Sequence, residues 1–152
     1  MIIGIDPGQT GALAVMDRGK VADLYDMPTM ARTYGKGMQV DPYTLATKIM
    51  EIGSYKISEA IVEQVASRPN QGSQATYNFG EGVGVVLGVL GALQVPVRFV
   101  TPQKWKMTAG LIGKDKDAAR TLAIQQHPEV ADKLTRKKDI GRADAICIAR
   151  FG

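Results

Sequence analysis

Three acidic residues, Asp6, Glu63 and Asp144, stand where a carboxylate could do chemistry. Asp6 ends the apolar run IIGID, directly before a Pro-Gly turn. Glu63 lies in the apolar strand pattern AIVEQV, where a carboxylate is costly unless it is paired or binds a metal ion. Asp144 begins the apolar segment near the chain end. Singly, each has an ordinary explanation: a turn former, a paired acid at a strand end, or an acid favoured by a helix dipole.

Together, the three acids predict a metal site. They come from three different elements, and the chain offers no rival cluster, since it has one His and one Cys. Three oxygen donors suit Mg²⁺ or Mn²⁺ better than zinc. An acidic pocket beside a basic stretch suits cleavage of phosphodiesters, because two cations can activate water and stabilise the leaving oxygen. We therefore expect two Mg²⁺ ions per active site, with Mn²⁺ able to substitute.

Positive charge is concentrated in one part of the chain. Residues 98–142 carry eleven basic and five acidic side chains, whereas residues 1–97 carry seven basic and nine acidic ones. This asymmetry predicts that a polyanion lies against the basic part. The side chains expected to contact it are Lys104, Lys106, Lys114, Lys116, Arg136, Lys137 and Lys138.

The elements that must position these residues indicate one α/β domain over residues 1–152. Apolar runs separated by turns predict three antiparallel strands, followed by strands that join them in parallel through helical crossovers. The segment 29–39, with two glycines and no periodicity, is expected to be a mobile loop. The strands are expected at about 1–6, 11–17, 20–27, 60–65 and 95–100, and the helices at about 42–52, 73–93, 115–126 and 142–151.

Within the longest expected helix, Gly80, Gly84 and Gly88 recur every four residues. They form a smooth stripe on one helical face that allows another backbone to approach closely. The stripe could pack against a second copy of the chain or against the protein's own sheet.

Composition narrows the cellular setting. The single Cys147 cannot form an intramolecular disulfide, so a secreted disulfide scaffold is excluded. No stretch has the roughly 18 uninterrupted apolar residues that a membrane helix needs. We expect a cytoplasmic protein without a membrane partner.

Several motifs, in the same order along nearly the whole chain, resemble RuvC-type Holliday-junction resolvases, especially the compact phage-type members. They are IIGIDPGQTGALAV, the AIVEQV strand with its Gln/Asn-rich loop, the strand into TPQKWK, and GRADAICIA. The resemblance implies an RNase H-like fold with a mixed five-stranded sheet flanked by helices. It also implies a homodimer that makes paired symmetric nicks in a four-way DNA junction with divalent metal. If the chain is encoded by a phage, we expect it to act in the cytoplasm of the bacterial host.

The resemblance also implies roles for particular residues. Asp6, Glu63 and Asp144 match the family's metal-binding acids, and Lys106 matches a lysine near the scissile phosphate. Lys114 and Lys116 fall close to the place of another lysine.

One position departs from the family pattern. A fourth ligand, Asp or His, is usual three residues before the last Asp, and that position is Gly141 here. The nearest substitute is Asp139, which could instead be a solvated charge beside three basic residues. We expect Asp139 to complete the site from a loop, with the last helix beginning after Gly141.

The loop after the Glu63 strand has polar and aromatic types that could wedge into an opened junction and stack on unpaired bases. Trp105 has a similar mixed character, and the aromatic residues could equally be core residues. The loop candidates for DNA contact are Arg68, Asn70, Gln71, Tyr77 and Phe79.

Three other functions deserve comparison. The DPGQT run also fits the phosphate loop of actin-like and sugar-kinase ATPases, but these need two related domains, and the chain has no internal repeat. A ribonuclease H acting on RNA-DNA hybrids would use the same acids. A junction-binding protein without cleavage activity is made plausible by Gly141.

Overall fold

A central five-stranded sheet carries the chain's strongest candidate residues. The computed structural model describes residues 1–64 and 72–152. The first three strands pair as an antiparallel meander, and the last two strands of the sheet join its far edge in parallel. The spatial order is β3-β2-β1-β6-β7. These strands are β1 (Ile2–Asp6), β2 (Ala12–Asp17), β3 (Lys20–Asp26), β6 (Glu59–Glu63) and β7 (Val97–Val100).

Helices cover both faces of the sheet. On one face, α1 and α2 pack on a core that includes Ile3, Ile5 and Leu90. On the other face, α5 crosses the strands, with α4 beside it. The helices are α1 (Pro42–Ile52), α2 (Ser73–Ala92), α3 (Pro102–Thr108), α4 (Ala118–Gln126) and α5 (Ile140–Phe151).

Alternation along β2 shows why the two faces differ. Leu13 and Val15 point into the core under α1 and α2, whereas Ala12 and Ala14 face α5. The small side chains let α5 lie close to the sheet, since successive strand residues face opposite sides. In β1, a Cβ at Gly4 would overlap the backbone of α5. This close approach of α5 to the sheet holds Asp144 near the end of β1.

The five-stranded mixed sheet confirms the predicted fold class, but several expected elements are corrected. The expected mobile loop at 29–39 instead contains β4 (Thr29–Ala31) and β5 (Met38–Val40), which pair antiparallel. Short strands can form there because backbone pairing needs no apolar periodicity. The basic segment after β7 begins with α3, where Thr101 accepts a hydrogen bond from the Lys104 amide as the N-cap.

Two further features bear on the expectations. Among the described helices, none is long and apolar enough to cross a membrane. The last helix begins at Ile140, so the expectation that it begins after Gly141 is wrong. Gly141 lies in the first turn of this helix. A glycine fits there because a Cβ would overlap the backbone of Thr10 and Gly11.

Candidate active site

The carboxyl ends of two neighbouring parallel strands meet at one edge of the sheet. Asp6 is the last residue of β1 and Glu63 the last of β6, and these strands pair in parallel. Helix α5 crosses the same strands and brings Asp144 to this edge. All three acids line one open cleft of about 530 Å³. The structure thus brings together the acids that the sequence predicted from three separate elements.

The turn after β1 wraps around Asp6. The Gly8 amide donates a hydrogen bond to Asp6 Oδ1 at 3.3 Å, and the Gly11 amide donates to the Gly8 carbonyl at 2.9 Å. A Cβ at Gly11 would overlap the Asp6 backbone. Glycine at position 11 therefore lets the chain fold back tightly beside the carboxylate.

Burial raises the pKa of two of the acids, and repulsion from neighbouring carboxylates adds to the shift of one of them. Burial raises the pKa of Asp144 to about 7, helped by the neighbouring Asp6 and Glu63 carboxylates and opposed by Lys106. Burial also raises the pKa of Asp6, opposed by the Gly8 hydrogen bond and by Lys106. Strongly shifted carboxyl groups in a cleft are typical of functional sites. The cleft therefore concentrates negative charge that a cation would stabilise.

Two residues of α3 serve this cleft. Lys106 lines it, and its positive charge opposes the rise in the pKa of Asp6 and of Asp144. Trp105 is wholly buried, and its indole Nε1 donates a 2.7 Å hydrogen bond to Glu63 Oε1. The amphipathic α3 thus supplies one charged side chain to the cleft and one indole to the core beneath it.

The donor chemistry of the cleft fits a hard divalent cation. No Cys or His is among the described residues that line the cleft, and carboxylates are the ligands that Mg²⁺ and Mn²⁺ prefer. Within residues 1–64 and 72–152, no three acidic, His or Cys side chains converge on a single point where a metal ion could sit. The three acids therefore fit Mg²⁺ or Mn²⁺ by their chemistry. Their side-chain positions do not define a coordination geometry.

Asp139 lies in an adjoining cleft of about 550 Å³, which shares Asp6 with the first. Its carboxylate is buried and paired with Arg136, whose Nη2 donates at 2.7 Å and whose amide donates at 2.8 Å. The position of the usual fourth ligand, Gly141, has no room for a side chain, because a Cβ would overlap the Thr10 carbonyl oxygen. The ligand role expected for Asp139 stays a prediction, and its observed partner is an arginine.

The other predicted contact residues are dispersed. Phe79 lines the acidic cleft, whereas Tyr77 is 63% exposed and lines a neighbouring hollow. Arg136 and Lys138 line the cleft of Asp139. Arg68, Asn70 and Gln71 lie outside the described residues. The remaining basic candidates, which are exposed and line neither cleft, are Lys104, Lys114, Lys116 and Lys137.

Sequence reasoning missed several residues of the site. Gln9 and Asn78 line the acidic cleft, and Trp105 bonds Glu63 although 42 residues separate them. No spacing rule joins residues on a strand and on a distant helix. Gln9, however, lies inside the DPGQT turn, and its place three residues after Asp6 is a signal that could have found it.

Sequence comparison relates part of the chain to a known protein. No protein-family profile matches the chain. The chain is 38% identical over 84 residues to the chloroplastic Holliday junction resolvase MOC1 of Chlamydomonas reinhardtii, a stretch that covers 55% of this chain and 10% of that protein. The chain thus spans about a tenth of that relative's length.

Two solved structures of Thermus thermophilus RuvC match almost the whole chain. One has a TM-score of 0.58 at 20% identity and covers 97% of this chain and 90% of its own. The other, in complex with a Holliday junction substrate, has a TM-score of 0.64 at 18% identity and covers 97% and 88%. The chain therefore has the RNase H-like fold of these two RuvC structures, as its motifs predicted.

Proposed function

We propose that the chain is a divalent-metal-dependent endodeoxyribonuclease that resolves four-way DNA junctions by paired symmetric nicks. The observation that carries this proposal is the single cleft at the strand ends, where Asp6, Glu63 and Asp144 meet Lys106 on a RuvC fold. Both the Chlamydomonas relative and one Thermus structure bear names that mention Holliday junctions. On this proposal the protein acts in the cytoplasm, which for a phage-encoded chain is that of the bacterial host.

The three acids of the cleft would hold the divalent cations, two Mg²⁺ per site with Mn²⁺ able to substitute. When bound, such cations activate water and stabilise the leaving oxygen of a phosphodiester. Lys106 would place its ammonium against the scissile phosphate, where it offsets negative charge. Trp105 would keep the Glu63 carboxylate in one orientation through its buried hydrogen bond. Asp139, predicted as a fourth ligand, is paired with Arg136, which favours a role in holding that arginine over a role as a metal ligand.

Basic side chains around the two clefts would bind the junction arms. Arg136 and Lys138 border the cleft next to Asp6. The exposed Lys104, Lys114, Lys116 and Lys137 extend the positive surface, and Arg68, Asn70, Gln71, Tyr77 and Phe79 complete the predicted contacts. Phosphate contacts of this kind make affinity fall with salt, with a log-log slope of about −0.9 for each phosphate neutralised.

A homodimer would supply the two active sites that paired nicks require. Gly80, Gly84 and Gly88 lie on the outer face of α2, where an added Cβ would meet no atom within 4 Å among the described residues. The alternative expectation, that this stripe packs on the protein's own sheet, is therefore wrong. A smooth exposed helical face supports close packing against a second copy of the chain.

A second candidate function is junction binding without cleavage. The observation that favours it is Gly141, because the backbone of the Asp6 turn occupies the place of a fourth ligand there. The two functions share the fold and the basic surface, and they differ in whether phosphodiesters are cut.

A synthetic four-way junction with labelled strands separates these functions. The parent should nick opposed strands in Mg²⁺ or Mn²⁺ and bind without cutting in EDTA, and its affinity should fall steeply with salt. Asp6→Asn, Glu63→Gln and Asp144→Asn should each abolish cleavage and keep binding, since binding rests on basic side chains. Asp17→Asn, at an exposed strand end, is the matched control and should cleave like the parent. Binding without cleavage by the parent would establish the second candidate, and preferential cutting of RNA-DNA hybrids would indicate a ribonuclease H.

A further inference from the structure

The β4-β5 hairpin stands beside the acidic cleft and has no role in the function proposed so far. Its strands pair from Thr29 with Val40 to Ala31 with Met38, and the Arg32 amide donates to the Gly37 carbonyl at 3.0 Å. Residues 33–37 at its tip are exposed.

Two side-chain links hold the hairpin in place. Arg32 forms a two-pronged ion pair with Glu81 of α2, with Nη–Oε distances of 2.6 and 3.2 Å, and the Arg32 side chain is only 10% exposed. A bidentate pair with little exposure is geometrically specific. On the other side, Gln9 Nε2 donates to the Met38 carbonyl at 2.8 Å. Because Gln9 belongs to the turn around Asp6, the hairpin is tied directly to the acidic cleft.

Between the hairpin and α2 lies a hollow of about 700 Å³. Two tyrosines border it, Tyr34 of the hairpin at 88% exposed and Tyr77 of α2 at 63% exposed. Amide side chains lie between them, including Asn78, which also lines the acidic cleft. Within α2, Gln74 Nε2 donates to Asn78 Oδ1 at 2.9 Å.

This combination fits an unpaired nucleobase. Aromatic faces stack on any base, with about 1–3 kcal/mol per base, and amides form hydrogen bonds with base edges. Lys36, which also borders the hollow, adds a cation for the phosphate of the same nucleotide. A lipid chain would instead need an apolar floor, and the hollow's described lining is mostly polar and aromatic.

We propose that this hollow binds an unpaired nucleotide of the DNA strand entering the acidic cleft and thereby sets the sequence preference of cleavage. The inference rests on the proposed nuclease function, and it assigns the choice of site to the β4-β5 hairpin. Tyr34 and Tyr77 stack on the base, while Gln39 and Asn78 contact its edge. Asn78, shared by both cavities, relates the bound base to the cleaved bond.

The binding step can be tested without cleavage. A four-way junction carrying 2-aminopurine at its centre is titrated with protein in EDTA, where stacking on tyrosine quenches the fluorescence. The parent should quench, Tyr34→Ala should lose at least half of the quenching, and Tyr34→Phe should retain it because the ring remains. Tyr43→Ala, which removes an 81% exposed ring from α1, is the matched control and should quench like the parent. Equal quenching by Tyr34→Ala and the parent would overturn the proposal.

The specificity step uses a junction library with randomised central bases, whose cleavage products are sequenced after digestion in Mg²⁺. The parent's ratio of kcat/KM between its best and worst sequences should fall at least about fivefold in Gln39→Ala, because an edge contact from an amide carries about 1–3 kcal/mol of discrimination between bases. Tyr34→Ala should instead lower kcat/KM for all sequences, since an aromatic face stacks on any base. A parent that cuts no junction would refute the proposed nuclease function. A Gln39→Ala protein that keeps the parent's sequence bias, or loses rate evenly over all sequences, would refute the specificity role alone. Melting temperatures identical across these variants confirm that folding is unaffected.

Discussion

Trp105 Nε1 and Glu63 Oε1 are joined by a 2.7 Å hydrogen bond between a wholly buried indole and a carboxylate of the acidic cleft. The indole packs among Ile61, Ile148 and Cys147 and cannot turn away. A hydrogen bond from such a fixed donor restricts the carboxylate more than a bond from a surface side chain would. The apolar core therefore orients one acid of the proposed metal site.

Replacing the indole should impair catalysis more than it impairs binding. Trp105→Phe keeps an aromatic ring in the core but removes the Nε1 donor. A hydrogen bond to a charged group contributes about 1.5–3 kcal/mol, so we expect kcat to fall tenfold or more. The Mg²⁺ concentration for half-maximal rate should rise, because Glu63 loses its orientation. Single-turnover rates across a Mg²⁺ titration measure both quantities.

The control for this variant is Ile148→Val, which trims another wholly buried side chain of the same apolar cluster. It should lower the melting temperature without changing the metal requirement. Equal metal requirements for Trp105→Phe and the parent would mean that the hydrogen bond serves packing alone.

The raised pKa of Asp144 predicts a pH-dependent stability of the metal-free protein. Its pKa is about 7 in the folded chain, above the usual 3.8, so the folded state favours the neutral carboxyl. This contribution is fully present below pH 4 and is lost as the pH rises through 7. At pH 8 in EDTA, Asp144→Asn should melt at least about 2 °C above the parent, and at pH 4 the two should converge. Differential scanning calorimetry at both pH values measures the shift.

Adding Mg²⁺ at pH 8 should reverse that order. A cation beside the ionised Asp144 stabilises the parent more than the Asn variant, because binding to the folded state alone raises its stability. The exposed Asp17→Asn is the control and should follow the parent throughout. A parent and an Asp144→Asn variant with the same melting temperature at pH 8 would show that burial does not disfavour the ionised carboxylate.

The parts of the site that could be predicted are those encoded by local pattern. Asp6 and Glu63 each follow an apolar strand run, and parallel strands bring such ends to one edge. The glycine spacing in α2 likewise predicted a smooth face, although only the structure shows that it is open to solvent. Local periodicity thus predicted where Asp6 and Glu63 lie in the sheet. It did not predict what packs against the glycine face of α2.

The unpredicted parts depend on contacts between distant segments. The β4-β5 hairpin lies in a stretch without apolar alternation, and its anchor is an ion pair across 49 residues. Asp139 was expected to reach the metal because it is the acid nearest to the usual fourth-ligand position, and this required the last helix to begin after Gly141. The actual break is a short 3-10 turn at Lys137–Asp139 that pairs the carboxylate with Arg136. No pattern in one sequence distinguishes a ligand from an ion-pair partner of this kind.

The proposed dimer can be disrupted at the outer face of α2. Gly84→Leu adds a side chain where no described atom lies within 4 Å, and leucine is the better helix former by about 1 kcal/mol. The single chain should therefore stay folded while the close packing of two copies is lost. Sedimentation velocity should shift from dimer to monomer, and cleavage should yield single, uncoupled nicks.

The exposed Gln125, on helix α4, provides the control for this test. Gln125→Leu adds an exposed leucine to a different helix and should leave the sedimentation coefficient unchanged. A Gly84→Leu protein that still sediments as the parent does would place the dimer interface elsewhere.

Asp139 has two competing roles that make different predictions. As a fourth ligand it would bind the metal, and Asp139→Asn would raise the Mg²⁺ concentration needed for half-maximal rate. The structure instead pairs both carboxylate oxygens with Arg136, whose Nε lies 3.2 Å from each, and this hydrogen bonding lowers the pKa of Asp139. A lowered pKa stabilises the fold above the usual pKa of an aspartate, and this contribution is lost as the pH falls through the lowered value.

We expect the ion pair to decide the outcome. Asp139→Asn should reduce junction affinity several-fold, because Arg136 is then no longer held at the rim of the cleft next to Asp6. The Mg²⁺ requirement should match that of the parent. If Asp139 acts through Arg136, Arg136→Gln combined with Asp139→Asn should weaken binding no more than Arg136→Gln alone, since neighbouring residues with a shared function are not additive. Arg136→Lys should bind the junction only slightly better than Arg136→Gln does, because an ammonium cannot reproduce the two-pronged pair with Asp139. A raised Mg²⁺ requirement in Asp139→Asn that is absent from Arg136→Gln would establish the carboxylate as a metal ligand.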